Sequence, residues 1–332
     1  MAVMKYFYEL TISSSPHVHS KVTTKTIMRD VLIALAPALI GSVYFFGFRA
    51  LMVTLVSVAA CLLFEWGWCK VMKMPCKVYD LSFAVTGVLI AFVCPVTIPY
   101  WCIIIGDFFA IIVVKMLFGG IGKNFVNPAL AARAFLFGWP VLMTHWVKVG
   151  FENAAGIFST ADAVTAATPM AALHQGQMPQ ESLLDLFLGN VGGCIGETSV
   201  VLLLVGLIYL LARKVITLRI PLAYVGTVAV LSLLFPMGNN AFAWCAAQLC
   251  GGGLMLGAIF MATDYVTSPV TKLGQIIYGI GCGVLTIVIR YFGGYNEGVS
   301  YAILIMNCCV VFLDRIGRPK KFGSPQKEVA KR

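Results

Sequence analysis

Phe92-Val93-Cys94-Pro95 and Asn127-Pro128 each break an apolar run that would otherwise continue across a bilayer. A hydrocarbon core of roughly 30 Å takes about 20 apolar residues per helix. By that measure the chain holds ten segments, near 28–48, 50–69, 79–94, 100–118, 129–143, 196–212, 218–236, 241–262, 273–291 and 298–313. The third stops at Pro95 and the fifth is entered through Asn127-Pro128, so these two read as broken or partial spans. Broken helices persist in a membrane only where protein or water satisfies the freed backbone groups, which marks a site and not a lipid face. The expected fold is an all-α polytopic membrane protein of about ten transmembrane helices, arranged as a five-plus-five inverted repeat with broken helices. Gly87-Val88-Leu89-Ile90-Ala91 before Pro95 has an echo in Gly253-Leu254-Met255-Leu256-Gly257 before Pro269, although coincidence explains so short a match as readily as descent.

Composition agrees. Hydrophobic residues make up 60% of the 332 and charged residues 11%, against about 25% charged in a soluble domain, and the mean hydropathy is +0.90. The first 26 residues carry Lys5, Glu9, Lys21 and Lys25 without a continuous apolar core, so no cleaved signal peptide is expected and the N-terminus stays in the cytoplasm. The eleven cysteines include no Cys-x-x-Cys, and Cys61, Cys94, Cys245, Cys250 and Cys282 fall inside apolar runs. They read as small buried apolar residues, with no metal centre expected.

Basic residues concentrate in cytoplasmic loops of membrane proteins. With both termini cytoplasmic, this topology leaves only Arg49, Lys148 and Arg290 on the outer side. The net charge of +10 is then topological and faces anionic lipid, and nucleic acid is not expected as a partner. The chain divides into a cytoplasmic arm (1–27), a first membrane half (28–143), an acidic extracytoplasmic loop (144–195), a second membrane half (196–313) and a basic cytoplasmic tail (314–332).

Three stretches carry candidate chemistry. Asp162-Ala163-Val164-Thr165-Ala166-Ala167-Thr168-Pro169 lies in the outer loop, and loops of more than about 15 residues are usually functional or disordered. Thr168 stands behind two alanines and before a proline that restricts its backbone, so its hydroxyl is a sterically open target for modification. The second and third stretches, Gly119 to Pro128 and Thr263 to Pro269, are polar clusters at the cytoplasmic ends of interrupted spans. Asn124 and Asn127 offer donors and acceptors and Asp264 an acceptor, a set that suits the edge of a planar heterocycle. Asn127-Pro128 and Ser268-Pro269 equally read as plain helix caps. Within the spans, Asp107 is a candidate for an ion path or for a contact with a neighbouring protein of a larger assembly, while Lys115, Glu65 and Arg290 are expected to snorkel toward the interfaces.

Ser14-Ser15-Pro16-His17, Gly119 to Ala129, Asp162 to Pro169, Phe260-Met261-Ala262-Thr263-Asp264 with Thr267-Ser268-Pro269, and Gly293-Gly294-Tyr295-Asn296-Glu297-Gly298 together resemble the NqrB/RnfD family over nearly the whole chain. The length and short N-terminal arm look more like the Rnf branch. The resemblance implies FMN joined through its phosphate to Thr168 by a flavin transferase, with Asp162, Thr165, Ala166 and Ala167 as the surrounding motif. Ala166 departs from the glycine often found there, and Thr165 is the nearest competing hydroxyl. It further implies a noncovalent riboflavin at Asn124, Asn127 and Asp264, and membership of the Rnf complex in a bacterial or archaeal cell membrane. There it would work with the RnfA, RnfB, RnfC, RnfE and RnfG components, pass electrons between ferredoxin and NAD, and drive Na⁺ or H⁺ outward without being catalytic alone. With one flavin near each face, an electron would have most of about 30 Å to cross. The competing readings are an NqrB-like component of a quinone reductase and a non-redox channel or transporter.

Overall fold

A computed structural model of the chain describes residues 22–74, 78–147, 168–197, 199–295 and 297–316, and the regular elements among them are helices. The first half runs α1 (Thr24–Phe46), α2 (Phe48–Val71), α3 (Ser82–Phe92), α4 (Tyr100–Phe108, continuing as a π-helix over Phe109–Met116), α5 (Pro128–Leu136) and α6 (Pro140–Met143). Next come α7 (Pro169–His174) and α8 (Leu183–Leu188). The second half holds α9 (Val200–Ala212), α10 (Arg219–Leu234), α11 (Ala241–Cys250), α12 (Leu254–Leu256, continuing as a π-helix over Gly257–Met261), α13 (Lys272–Phe292) and α14 (Val299–Ile316).

Among the described residues four helices, α1, α2, α13 and α14, are long and apolar enough to cross a membrane, and α11 with α12 and its π stretch makes a fifth, bent by 61°. More of the expected spans are short than the two that proline marks, because α9 and α10 are also below full length. Hydropathy counts apolar residues whether or not they are helical. Cys94, Val96 and Ile98, for example, are fully buried in the non-helical segment after α3. The two glycine-containing echoes occupy different local structures: Gly87 to Ala91 lies inside α3, whereas Gly253 to Gly257 spans the break into α12 and its π stretch.

The larger of two hydrophobic clusters draws on helices of both halves. α2 packs on α3 and α4, α13 on α10 and α14, and α1 on α9, which joins the two halves. Both interrupted helices are sealed by a buried arginine. Arg49 donates to the carbonyls of Val96 (2.8 Å) and Ile98 (3.1 Å) beyond α3. Arg290 donates to the carbonyls of Gln248 (2.7 Å) and Gly251 (3.2 Å) at the end of α11. The segment before α9 completes the first seal, with Gly196 and Ile195 N–H groups each 3.0 Å from the carbonyls of Phe92 and Cys94. These contacts supply the satisfaction that a broken helix in lipid requires.

The charged side chains do not snorkel. Lys115 and Glu65 are buried and paired at 2.7 Å, and Arg290 is 1% exposed. Arg133, assigned to an inner loop by the charge count, is buried within α5 and paired with Glu297. Each has a polar partner far along the sequence, so reaching an interface is unnecessary. The segment between the two halves also carries structure: α7 and α8 bury Met170, Leu173 and Leu186 against Trp244 and Ala247, and Ser182 caps α8.

Candidate functional site

Helix α5 connects two cavities. It begins at Asn127, whose Oδ1 accepts from the N–H groups of Ala129 (3.0 Å) and Leu130 (3.4 Å), and its C-cap is Phe137. Ten residues of helix advance about 15 Å.

The first cavity, about 80 Å³, is lined by Asn124, Asn127 and Asp264 together with Lys115, Ser82 and Tyr265. The three residues that sequence singles out therefore meet in one place. Two π-helical stretches, ending at Met116 and Met261, lead into the loops that carry them, and such stretches concentrate at functional sites. Gly119, Gly120 and Gly122 all have φ between 88° and 105°, a winding that glycine alone adopts easily. Asn127 serves as the helix cap, in line with the plain reading, and its Nδ2 also donates to the Met261 carbonyl at 3.4 Å. Asn124 donates to the Val126 carbonyl. Asp264 accepts from Thr267 Oγ1 at 3.0 Å, and burial raises its carboxyl above the usual range against that hydrogen bond. The donors and acceptors suit a flavin edge. The space does not, since ligand pockets run from roughly 300 to 1,000 Å³.

The second cavity, about 450 Å³, is lined by Thr168, Arg133, Phe137, Trp146, Tyr295 and Tyr301 among others. Its volume and aromatic walls fit FMN. Tyr295 and Tyr301 lie with ring centroids 4.9 Å apart, Phe137 stands edge-on to Tyr295, and the Arg133 guanidinium lies 5.5 Å over the Phe137 ring. Thr168 precedes α7 with φ −79° and ψ 149°, and its hydroxyl makes no capping bond. It is only 8% exposed, so the expectation of a hydroxyl on an open surface is corrected: it faces a cavity. Asp162, Thr165, Ala166 and Ala167 lie outside the described residues. Asp107 belongs to neither cavity lining and sits 0% exposed beside Ser57.

Sequence reading missed the charges around Thr168. Arg133 pairs with Glu297 and stands 3.9 Å from Glu197, and a small void between Thr168 and both glutamates adjoins the Gly251-Gly252 backbone. The available signal was a charge within an apolar segment, which is a site hypothesis by default.

Comparison with known proteins gives the lineage. The chain is 46% identical over 320 residues to the D component of the Na⁺-translocating ferredoxin:NAD⁺ oxidoreductase complex of Acetobacterium woodii, covering 95% of each. It is 42% identical to the D component of the proton-translocating ferredoxin:NAD⁺ oxidoreductase complex of Clostridium ljungdahlii, covering 95% of this chain and 96% of the relative. It is 35% identical to the D component of the ion-translocating oxidoreductase complex of Aeromonas salmonicida, covering 95% and 99%. Residues 11–323 match the NQR2, RnfD, RnfE family, and the chain belongs to that family.

Proposed function

We propose that this chain is the flavin-bearing membrane component of an Rnf-type complex, carrying FMN in phosphodiester linkage to Thr168 and passing electrons in a reaction coupled to Na⁺ or H⁺ translocation. One observation carries the reading: a threonine hydroxyl unused by its own helix faces an aromatic cavity of about 450 Å³. Transfer from FAD by a flavin transferase joins the FMN phosphorus to Thr168 Oγ1 and releases AMP. Bound FMN supplies one- and two-electron redox chemistry. The Tyr295–Tyr301 pair and Phe137 offer faces for its ring, and Arg133 offers a cation to its phosphate. Pro169 holds the Thr168 backbone in the extended region it adopts.

In this reading Thr168 lies on the outer side, Asn127 on the inner side, and the termini in the cytoplasm. The other proteins of the complex supply and remove electrons. Relatives named for sodium and for protons are both close to this chain, so kinship leaves the ion open. Riboflavin at the Asn127 cavity is kept as a proposal only for a state in which that cavity widens.

The test is in-gel fluorescence of denatured protein produced with its transferase. Wild type should fluoresce and Thr168→Val should not, with membrane insertion unchanged. Peptide mass spectrometry that places the flavin on Thr165 refutes the assignment. A colourless wild-type protein favours a non-redox channel or transporter.

A further inference from the structure

Ser57, Cys61 and Glu65 recur at four-residue steps on α2 and form one buried stripe. Opposite them stand Asp107 and Lys115, eight residues apart. In a straight α-helix eight residues carry a side chain about 80° past two turns. The wider winding over Phe109–Met116, at about 4.4 residues per turn, reduces that offset to roughly 30°. The π stretch thus keeps both side chains on the face that meets α2.

The contacts around Asp107 contain one hydrogen too few. Ser57 Oγ lies 2.7 Å from Asp107 Oδ1 and 2.9 Å from the Gly87 carbonyl, and Cys61 Sγ lies 3.6 Å from the same Oδ1. A hydroxyl and a thiol bring two hydrogens to these three contacts. The third hydrogen is supplied if Asp107 carries it. Asp107 Oδ2 is fully buried with no hydrogen-bond partner among the described residues, and an ionised carboxylate left this way is far more costly than a neutral one. Among the described residues, the two Asp107 oxygens, Ser57 Oγ and the Gly87 carbonyl make four oxygens, fewer than the roughly six or more that a hard cation takes.

A polar line runs from this group to the surface. Cys61, which touches Asp107 Oδ1, lies one helical turn before Glu65 on α2. Lys115 Nζ donates to Glu65 Oε2 and to Ser82 Oγ, both at 2.7 Å. Ser82 Oγ donates to Asp80 Oδ1 at 2.7 Å, and Asp80 is half-buried. Lys115 and Ser82 also line the Asn127 cavity.

We propose that Asp107 is a proton-loading site that exchanges with water at the Asn127 end of the bundle through Glu65, Lys115, Ser82 and Asp80. A proton arriving at Asp80 displaces one along the line. The relay requires the Ser82 hydroxyl to turn from Asp80 to Lys115. Lys115 gives a hydrogen to Glu65 and takes that of Ser82, Ser82 takes the one that arrived at Asp80, and Glu65, one helical turn from Cys61, releases its proton across that turn to Asp107. One proton enters, one rests on Asp107, and the groups between return to their starting states. This deepens the ion-coupled reading given above, yet the site is tested without turnover, so a colourless protein would leave the test intact.

The experiment is infrared spectroscopy of the full chain in lipid nanodiscs at neutral pH, with exchange into D₂O. A protonated-carboxyl band is expected in wild type, with a component of it lost in Asp107→Asn. In the double variant Glu65→Gln/Lys115→Met the band should persist while its deuterium shift slows at least tenfold. Where Asp107→Asn does not fold, Ser57→Ala should move the band by removing its partner, and an unmoved band overturns the proposal. So does a band unchanged in folded Asp107→Asn, or exchange of undiminished rate in the double variant. Loss of the band on adding Na⁺ at fixed pH would assign an alkali ion to the site and equally overturn it.

Discussion

Lys115 Nζ stands 2.7 Å from Glu65 Oε2, with side chains only 4% and 6% exposed. Removing one member of such a buried pair leaves an uncompensated charge and costs roughly 3–5 kcal/mol. Lys115→Met and Glu65→Gln should each lower unfolding stability in detergent by about that amount. The double variant should recover most of the loss, because both charges are then gone. Additive losses would mean the two side chains do not act as a pair.

Arg290 makes three hydrogen bonds at 2.7, 2.9 and 3.2 Å, to the Gln248 carbonyl and Oε1 and to the Gly251 carbonyl. Arg290→Met should free the carbonyls at the end of α11 and cost roughly 3–5 kcal/mol, given about 1.5–3 for a hydrogen bond to a charged group and incomplete additivity. Limited proteolysis should then cut first near 251–253. A protease pattern identical to wild type would show that the break is held by something else.

Local breaks and long-range partnerships are unequally legible in sequence. Pro95 and the Asn127-Pro128 pair announce broken helices because proline acts locally, and polar side chains beside glycine and proline draw attention to Asn124, Asn127 and Asp264, which do meet in one cavity. Partnerships over long separations are not legible. Lys115 looks destined for an interface because Glu65, its partner, is 50 residues away, and Arg133 gives no hint of Glu297, 164 residues on. The short helices α9 and α10 are hidden for another reason: an apolar loop and an apolar helix have the same hydropathy.

Gly206 on α9 lies against backbone of the other half. A Cβ there would lie 2.4 Å from the Ala34 carbonyl oxygen of α1, and backbone cannot give way as a flexible side chain can. Small residues at such crossings let helices in lipid pack closely. Gly206→Ala should therefore destabilise by roughly 1–3 kcal/mol through overpacking, whereas Gly226→Ala on α10, with nothing within 4 Å, should be neutral or slightly stabilising. Thermal unfolding of the two variants in one detergent compares them directly, and equal midpoints would contradict the packing of α1 on α9.

Arg133 combines a structural contact set with a proposed role. It pairs with Glu297 and stands 3.9 Å from Glu197, and it lines the Thr168 cavity, where the proposed FMN would present its phosphate. Arg133→Gln should lose roughly 3–5 kcal/mol by stranding buried carboxylate and should also reduce covalent flavin. Adding Glu297→Gln removes one stranded charge and should restore much of the stability. The flavin yield in that double variant decides the second role. If Arg133 holds the phosphate, in-gel fluorescence stays low although the protein is again stable; if it recovers along with stability, Arg133 only supports the fold and the phosphate must be held by other groups in the cavity.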